Sequence, residues 1–131
     1  MMIRLWTPDT MPKPASRYSQ LALAEGATRR LEISGQLGNH ADGTLAEGLA
    51  GQLDAALANI DRALDAAGMG RANLMKLTVY LTQNTPEAVS TYRQRRDVWV
   101  GDGPPPAATL LIVAGLASPA FMVEVDAVAM A

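Results

Sequence analysis

The sequence contains no cysteine and a single histidine, His40. Without cysteine the chain cannot form disulfides, thiolate metal sites or a cysteine nucleophile. One histidine cannot build a multi-histidine metal centre, and it leaves little for a serine–histidine triad. We therefore expect neither a metal ion nor a cofactor.

An excess of positive charge is also lacking. The chain has 11 basic and 13 acidic residues, which give a formal net charge of −2. Proteins that bind nucleic acid by neutralising its phosphates show a basic stripe. The charge balance therefore predicts no nucleic-acid partner.

Long apolar runs are missing as well. The first residues, "MMIRLWTPDTMPKP", are interrupted by Arg4 and Asp9 and lack the apolar core of a signal peptide. No window of the chain reaches the length of a transmembrane helix. These features predict a cytoplasmic protein without a membrane partner. The length of 131 residues and the hydrophobic fraction of 49% predict a single domain over residues 1–131.

Hydrophobic periodicity predicts the element order βββαβαββ. "MIRLW" has the alternation of a short strand, and "YSQLALAEGATRRLEISGQLG" suggests two strands joined by a hairpin turn at Glu25-Gly26. Apolar residues recur at helical spacing over residues 45–67 and predict the first helix. "TLAE" (residues 44–47) is a possible capping box, and Gly68 suits the position after the last turn.

The second half of the chain completes this order. "LMKLTVYL" (residues 74–81) predicts a strand, and Thr85-Pro86-Glu87 predicts the start of the second helix. "TLLIVA" and "FMVEVDAVA" predict the last two strands. Two sets of side chains are expected to face inward: Met75, Leu77, Val79 and Leu81 from the strand, and Val89, Tyr92, Trp99 and the aliphatic stem of Arg96 from the helix.

The strand around residues 110–113 is apolar on both faces. Leu111 and Val113 point to one side, while Leu110 and Ile112 point to the other. A strand that is apolar on both faces is expected to be buried on both. Two helices can cover only one side of so small a sheet, so other copies of the chain are expected to cover the second. We predict that this interface lies on the face of Leu110 and Ile112.

Several short stretches along the chain form a recognisable set. They are "RYSQ" (17–20), "SGQLG" (34–38), Gln52, Asn59, "AAGMGRANLMKLTVYLT" (66–82), "RRDVW" (95–99), "PAATLLIVAGL" (106–116) and "VEVDAVA" (123–129). Together they make the chain similar to the reactive-imine deaminase (Rid, or YjgF-type) family. The resemblance implies an α+β fold, with a mixed β-sheet, two helices packed on one face and a chorismate-mutase-like arrangement. It also implies a homotrimer whose sheets line a central barrel.

The resemblance also implies a function. Family members typically hydrolyse reactive 2-imino acids or their enamine tautomers in clefts between subunits. An arginine clamps the substrate carboxylate, and a glutamate positions the attacking water. Tyr18 matches the family's site tyrosine, Ser34 and Gly35 match its "SGQ" loop, and Glu124 matches its glutamate.

One position departs from the family. Ala108 stands where the resemblance places the arginine after Pro-Ala, and Leu110 stands at the family's cysteine position. Alanine cannot bind a carboxylate, so imino-acid deaminase activity is in doubt. Arg17 is the nearest obvious cation to replace the arginine, although it is adjacent to Tyr18 and adjacent strand residues face opposite ways. Without a cation, the cleft is expected to be less positive and to suit a neutral or cationic ligand.

Simpler interpretations remain open for the charged residues. Glu124 has an alternative as a solvent-facing or salt-bridged acid, and Tyr18 has one as an ordinary strand aromatic. We expect Lys76 to pair with Glu124 or Asp126. Arg93 and Asp97 are spaced for an ion pair on one helix face, whereas His40 belongs to an ordinary loop.

Three functional hypotheses follow. The first is an enzyme that hydrolyses a small imine, enamine or related compound, with Glu124 directing water. The second is a non-catalytic trimer that binds a small ligand or has a regulatory role. The third is an endoribonuclease, which the acidic charge balance disfavours.

Overall fold

The computed structural model describes residues 1–131 and confirms the predicted order βββαβαββ. A single 3-10 turn, Arg71–Asn73, precedes the fourth strand. The elements are β1 Met2–Trp6, β2 Leu21–Glu25, β3 Arg30–Leu37, α1 Gly48–Ala66, β4 Leu74–Leu81, α2 Pro86–Val100, β5 Ala107–Ile112 and β6 Val123–Met130.

The main sheet has four strands in the order β3-β6-β4-β5. Strands β4 and β5 are parallel, and the other two pairs are antiparallel. Helix α1 packs on β3 and β6, and α2 packs against α1. The prediction of an α+β fold with a mixed sheet and its helices on one face is therefore confirmed. No helix combines the length and the apolar character that are needed to cross a membrane.

The prediction that the strands on either side of Glu25-Gly26 pair with each other as a hairpin is wrong. Strand β2 pairs with β1 in a separate two-stranded sheet, and β3 pairs with β6. Gly26 has a φ of +70°, which allows a sharp change of direction after β2. The backbone N–H groups of Thr28 and Arg29 both donate to the carbonyl of Ala131, just beyond β6. These bonds direct the chain to the edge of β6 rather than back along β2.

Helix α1 begins at Gly48, so the predicted capping box at residues 44–47 does not form. Glu47 is the N-cap without a side-chain hydrogen bond, and the Thr44 hydroxyl donates to Asp42 instead. The prediction for the other end is confirmed: Gly68 has a φ of +67°, and its N–H donates to the carbonyl of Asp65.

Helix α2 begins as predicted, because the Thr85 side chain accepts a hydrogen bond from the Ala88 backbone at 3.1 Å and Pro86 follows at the first position. Its buried residues are Ala88, Tyr92, Arg96 and Trp99, so Ala88 takes the inner position expected for Val89. The burial of Arg96 includes its guanidinium and is not limited to the aliphatic stem.

A register shift between Leu74 and Lys76 alters the start of β4. Met75 is the extra residue against β6, so Leu74 joins Leu77, Val79 and Leu81 in the core instead of Met75.

The open face of the main sheet is the one that no helix covers. Leu77 pairs with Ala108 and Val79 with Leu110, and these pairs lie on the core side. The prediction that Leu110 and Ile112 form the uncovered face is therefore wrong, although Ile112 at the strand end is 39% exposed. The open face instead carries Thr109 and Leu111 from β5, Lys76, Thr78 and Tyr80 from β4, and Glu124, Asp126 and Val128 from β6.

On this open face the Tyr80 hydroxyl donates to Asp126 Oδ2 at 2.9 Å. That hydrogen bond raises the pKa of Tyr80, and burial and the charges of Asp126 and Glu124 act in the same direction. Lys76 forms no ion pair, so its predicted pairing with Glu124 or Asp126 is not formed.

The close crossing of β3 and α1 generates a prediction. A Cβ at Gly38 would lie 2.6 Å from the Gln52 backbone Cα. We expect Gly38→Ala to lower the free energy of unfolding by about 1–3 kcal/mol, because backbone must move. Gly70→Ala is the control, since nothing lies within 4 Å of its added Cβ. Urea denaturation of both variants measures the difference in their free energies of unfolding. Equal midpoints for the two variants would contradict the close approach of Gly38 to Gln52.

The Tyr80–Asp126 bond generates a second prediction. Removing the acceptor and its charge in Asp126→Ala removes the main cause that raises the pKa, so the Tyr80 phenol should ionise at lower pH. Ultraviolet titration of phenolate formation measures this shift, with Tyr80→Phe identifying the transition. In Tyr18→Phe the Tyr80 transition should stay where it is. An unchanged transition in Asp126→Ala would show that the bond does not exist in solution.

Candidate functional site

Glu124 lies directly over the backbone of Gly35. Strand β6 places Glu124 opposite Leu37 on β3 and opposite Tyr80 on β4. The register of β3 shifts between Ile33 and Gln36, so Ser34 and Gly35 form an irregular step beside this acid. A Cβ at Gly35 would lie 2.4 Å from Glu124 Oε2. Glycine at this position therefore makes room for the carboxylate.

The Glu124 carboxylate has no hydrogen-bond or salt-bridge partner in the chain, although the residue is half-buried. Asp126, two residues further along the same face, accepts the Tyr80 hydroxyl. A carboxylate without a partner retains its lone pairs for a water molecule or a ligand. Of the two acids, Glu124 is thus the one available for chemistry.

Two amide side chains on α1 hold β3 and β6, the strands that carry Gly35 and Glu124. Gln52 is buried, donates to the Ala120 carbonyl at 3.1 Å and accepts from the Met122 backbone at 2.9 Å, just before β6. Asn59 donates to the carbonyls of Leu37 and Asn39 at the end of β3. The sequence resemblance includes both amides, but their supporting role is visible only in the structure.

Tyr18 and Ala108 meet at a second place, a cavity of about 380 Å³. The segment before β2 forms its wall, because Ser19 donates through its hydroxyl to Pro105 at 2.7 Å and pairs with Ala107 at the start of β5. The lining residues are Ala15, Ser16, Tyr18, Gln20, Tyr92, Arg93, Arg96, Ala108, Thr109 and Leu110.

Arg17 is not among the residues that line this cavity. Its guanidinium donates to the carbonyls of Gly101 and Gly103 at 2.5 and 2.8 Å. It therefore ties down the loop after α2, and the structure does not bring it to Ala108.

The arginine beside Ala108 is Arg96 of α2, which sequence reasoning missed as a site residue. Its Nε donates to Asp97 Oδ1 at 3.0 Å and its Nη1 donates to the Ser16 hydroxyl at 3.2 Å. Asp97 thus contacts Arg96, and the predicted Arg93–Asp97 pair does not form. The helical spacing correctly placed Arg96 on the inner face of α2. This was the one feature of the sequence that could have pointed to Arg96 as a site residue.

The predicted site residues fall into two groups that do not meet within one chain. Ser34, Gly35 and Glu124 belong to the open face, whereas Tyr18 and Ala108 belong to the cavity near the core side of β5. Strand β4 lies between β6 and β5. His40 lies exposed in a loop, apart from both groups.

Another cavity of similar volume lies beside β1, lined in part by Ile3, Leu5 and Arg71. The Arg71 guanidinium is already bonded to Asp61 and to the Trp99 carbonyl, so it is not free for a ligand. No group of three or more carboxylate or imidazole side chains converges in the structure to hold a metal ion.

Comparisons with known proteins agree with this architecture. Residues 9–131 match the family model described as endoribonuclease L-PSP. A RutC family protein of Aquifex aeolicus (strain VF5) is 40% identical over 72 residues, which are 54% of this chain and 55% of that protein. The chain thus spans about half the length of the curated relative it matches.

Two solved structures extend the match over the whole chain. YyfB of Yersinia pestis, described as a Rid family protein of unknown function, is 27% identical with a TM-score of 0.90 and covers 100% of both chains. RidA of the Antarctic bacterium Psychrobacter sp. PAMC 21119 is 26% identical with a TM-score of 0.72, over 98% of this chain and 99% of its own. The resemblance seen in the sequence is confirmed, and the chain belongs to the Rid family, whose model carries the description endoribonuclease L-PSP.

Proposed function

We propose that this protein hydrolyses a small imine or enamine in clefts between the subunits of a homotrimer. The observation that carries the proposal is the half-buried Glu124 carboxylate, which has no partner in the chain and lies against Gly35. A polar group in that position needs either water or a ligand to satisfy it.

Glu124 acts as a general base in the proposed reaction. It accepts a proton from water while the water oxygen forms a bond to the electrophilic carbon of the C=N group. The resulting tetrahedral carbinolamine breaks its C–N bond, and protons transferred to nitrogen release ammonia. The other product is the carbonyl compound, so the reaction consumes one water and needs no oxidant or cofactor.

The proposed cleft requires two copies of the chain because its parts face away from each other. Glu124 lies on the open face, and Tyr18 and Ala108 line the cavity on the other side of the sheet edge. The open face also exposes Leu111, which is 41% exposed. Packing this face against a second copy covers Leu111 and brings one copy's Glu124 towards another copy's cavity.

Two other functions fit these observations less well. RNA cleavage would bring phosphates to a face that carries Glu124 and Asp126 and to a chain with net charge −2. A non-catalytic binding protein has no need of a half-buried carboxylate without a partner.

Turnover tests the proposal directly. Imines generated in place by an amino-acid oxidase should lose ammonia faster with the protein than without it. Glu124→Gln should reduce this acceleration by about 10²–10⁴-fold, because general-base catalysis is lost. Gly35→Ala should also reduce it, because the new Cβ displaces the flexible carboxylate and leaves the strands in place. Failure of the wild-type protein to accelerate any imine would favour the non-catalytic alternative.

Assembly gives an independent prediction. Leu111→Lys places a charge on the open face and should weaken the trimer at least about tenfold, because an unpaired charge is costly to bury. The matched control is Val98→Lys, since Val98 is 70% exposed on α2. Sedimentation velocity at micromolar concentration distinguishes trimer from monomer. A monomeric wild-type protein, or equal effects of the two variants, would contradict the proposed interface.

A further inference from the structure

We propose that Arg96 supplies the cation of the cavity beside Ala108, and that this cavity binds a small carboxylate. The inference rests on the proposed function in taking the cavity as one side of the cleft. It assigns to that cleft a ligand class and a binding residue on α2.

The burial of Arg96 is the first observation. The residue is 2% exposed, whereas the arginine side chains in the surface ion pairs of Arg30, Arg71 and Arg95 are 57%, 48% and 37% exposed. Removing a guanidinium from water is costly unless ionic and hydrogen-bond partners replace the water. A buried arginine without a full set of partners therefore points to a missing one.

The partners of Arg96 in the chain are incomplete. Nε donates to Asp97 Oδ1, and Nη1 donates to Ser16. Nη2 lies 3.0 Å from the same Asp97 oxygen, but its geometry forms no hydrogen bond, and this buried atom has no other partner. The Asp97 side chain is 43% exposed, so water screens its charge. The guanidinium thus retains unused donors, which a carboxylate oxygen can accept.

The other lining residues leave this positive charge without a neutralising acid. None of the ten residues around the cavity is acidic. The guanidinium carbon of Arg96 lies 5.1 Å from the centre of the Tyr92 ring. Burial raises the pKa of the Tyr92 hydroxyl, while Arg96 lowers it, and the net shift is upward. Tyr92 therefore stays neutral. Arg93 adds a second, exposed cation that forms no salt bridge.

The small side chain of Ala108 keeps the space in front of Arg96 open. A cavity of about 380 Å³ lies within the range of small-molecule sites. Tyr18 and Gln20 also line this cavity, so a ligand can combine a carboxylate with a further polar group. The cation of the cavity then comes from the helix instead of from β5.

Binding of an unreactive probe tests this inference apart from catalysis. Titration calorimetry compares 2-oxobutanoate with its neutral amide, which has nearly the same shape. The wild-type protein should bind the acid at least about tenfold more tightly than the amide, because a charged hydrogen bond is lost in the amide. Arg96→Lys keeps the charge but loses the fork of donors, and should weaken acid binding about tenfold while leaving the amide unchanged.

Two further variants keep the test decisive if Arg96→Lys fails to fold. Ala108→Leu fills the space in front of Arg96 and leaves the arginine itself unaltered, so it should abolish binding of both probes. Arg95→Met removes an exposed arginine on the same helix, paired with Asp54, and should bind the acid like the wild type. Equal affinity of the wild type for acid and amide, or normal acid binding by Ala108→Leu, would overturn the inference.

The same titration separates this inference from the proposed function. Glu124→Gln should lose imine turnover and still bind 2-oxobutanoate, because Glu124 is not part of the Arg96 cavity. If the wild-type protein hydrolyses imines but binds 2-oxobutanoate no more tightly than its amide, the role of Arg96 is refuted and the proposed reaction stands. Acid binding that depends on Ala108 and Arg96, without turnover of any imine, would refute the proposed reaction alone.

Discussion

Strand β6 pairs with β3 on one edge and with β4 on the other, and the register of these two ladders determines what each sheet face presents. Its residues alternate strictly, so that Val123, Val125, Ala127 and Ala129 are buried under the helices. Glu124 and Asp126 consequently face away from them. A slip of one residue would move both carboxylates into the apolar core, which would cost several kcal/mol per charge. The burial of the core half of β6 therefore also holds Glu124 in place.

The position of Glu124 depends on contacts that each act over a short distance. Gly35 leaves the volume that the carboxylate occupies, and Gln52 fixes the loop that leads into β6. The same sheet places the Ala108 cavity on the side opposite to Glu124. A single chain thus presents an acid and a basic cavity that cannot act on one small molecule together. Assembly is the physical means by which the two can be combined, and this is why the proposed function and the proposed trimer are linked.

The arginine that the family resemblance places on β5 is replaced by Ala108, yet a guanidinium lies at the same cavity. Arg96 reaches it from α2, next to Tyr92 and Ser16. An arginine on a helix and an arginine on a strand can offer similar donors to a carboxylate, because the side chain is long and its planar fork is what binds. The loss of one motif residue therefore does not by itself remove a chemical group from a site.

The sequence by itself determined the elements whose signals are local. Thr85 and Pro86 define the start of α2, Gly68 ends α1, and the alternation of residues 74–81 defines β4, because these signals act between residues a few positions apart. The motifs likewise pointed to Glu124 and Gly35, which the structure places against each other. Only the tertiary structure decided which strand β2 pairs with, which face of β5 meets the helices, and which arginine lies beside Ala108. Those outcomes depend on contacts between residues that are far apart in the chain. The sequence of an apolar strand or of an inward-facing arginine is compatible with several such contacts, so it does not select one.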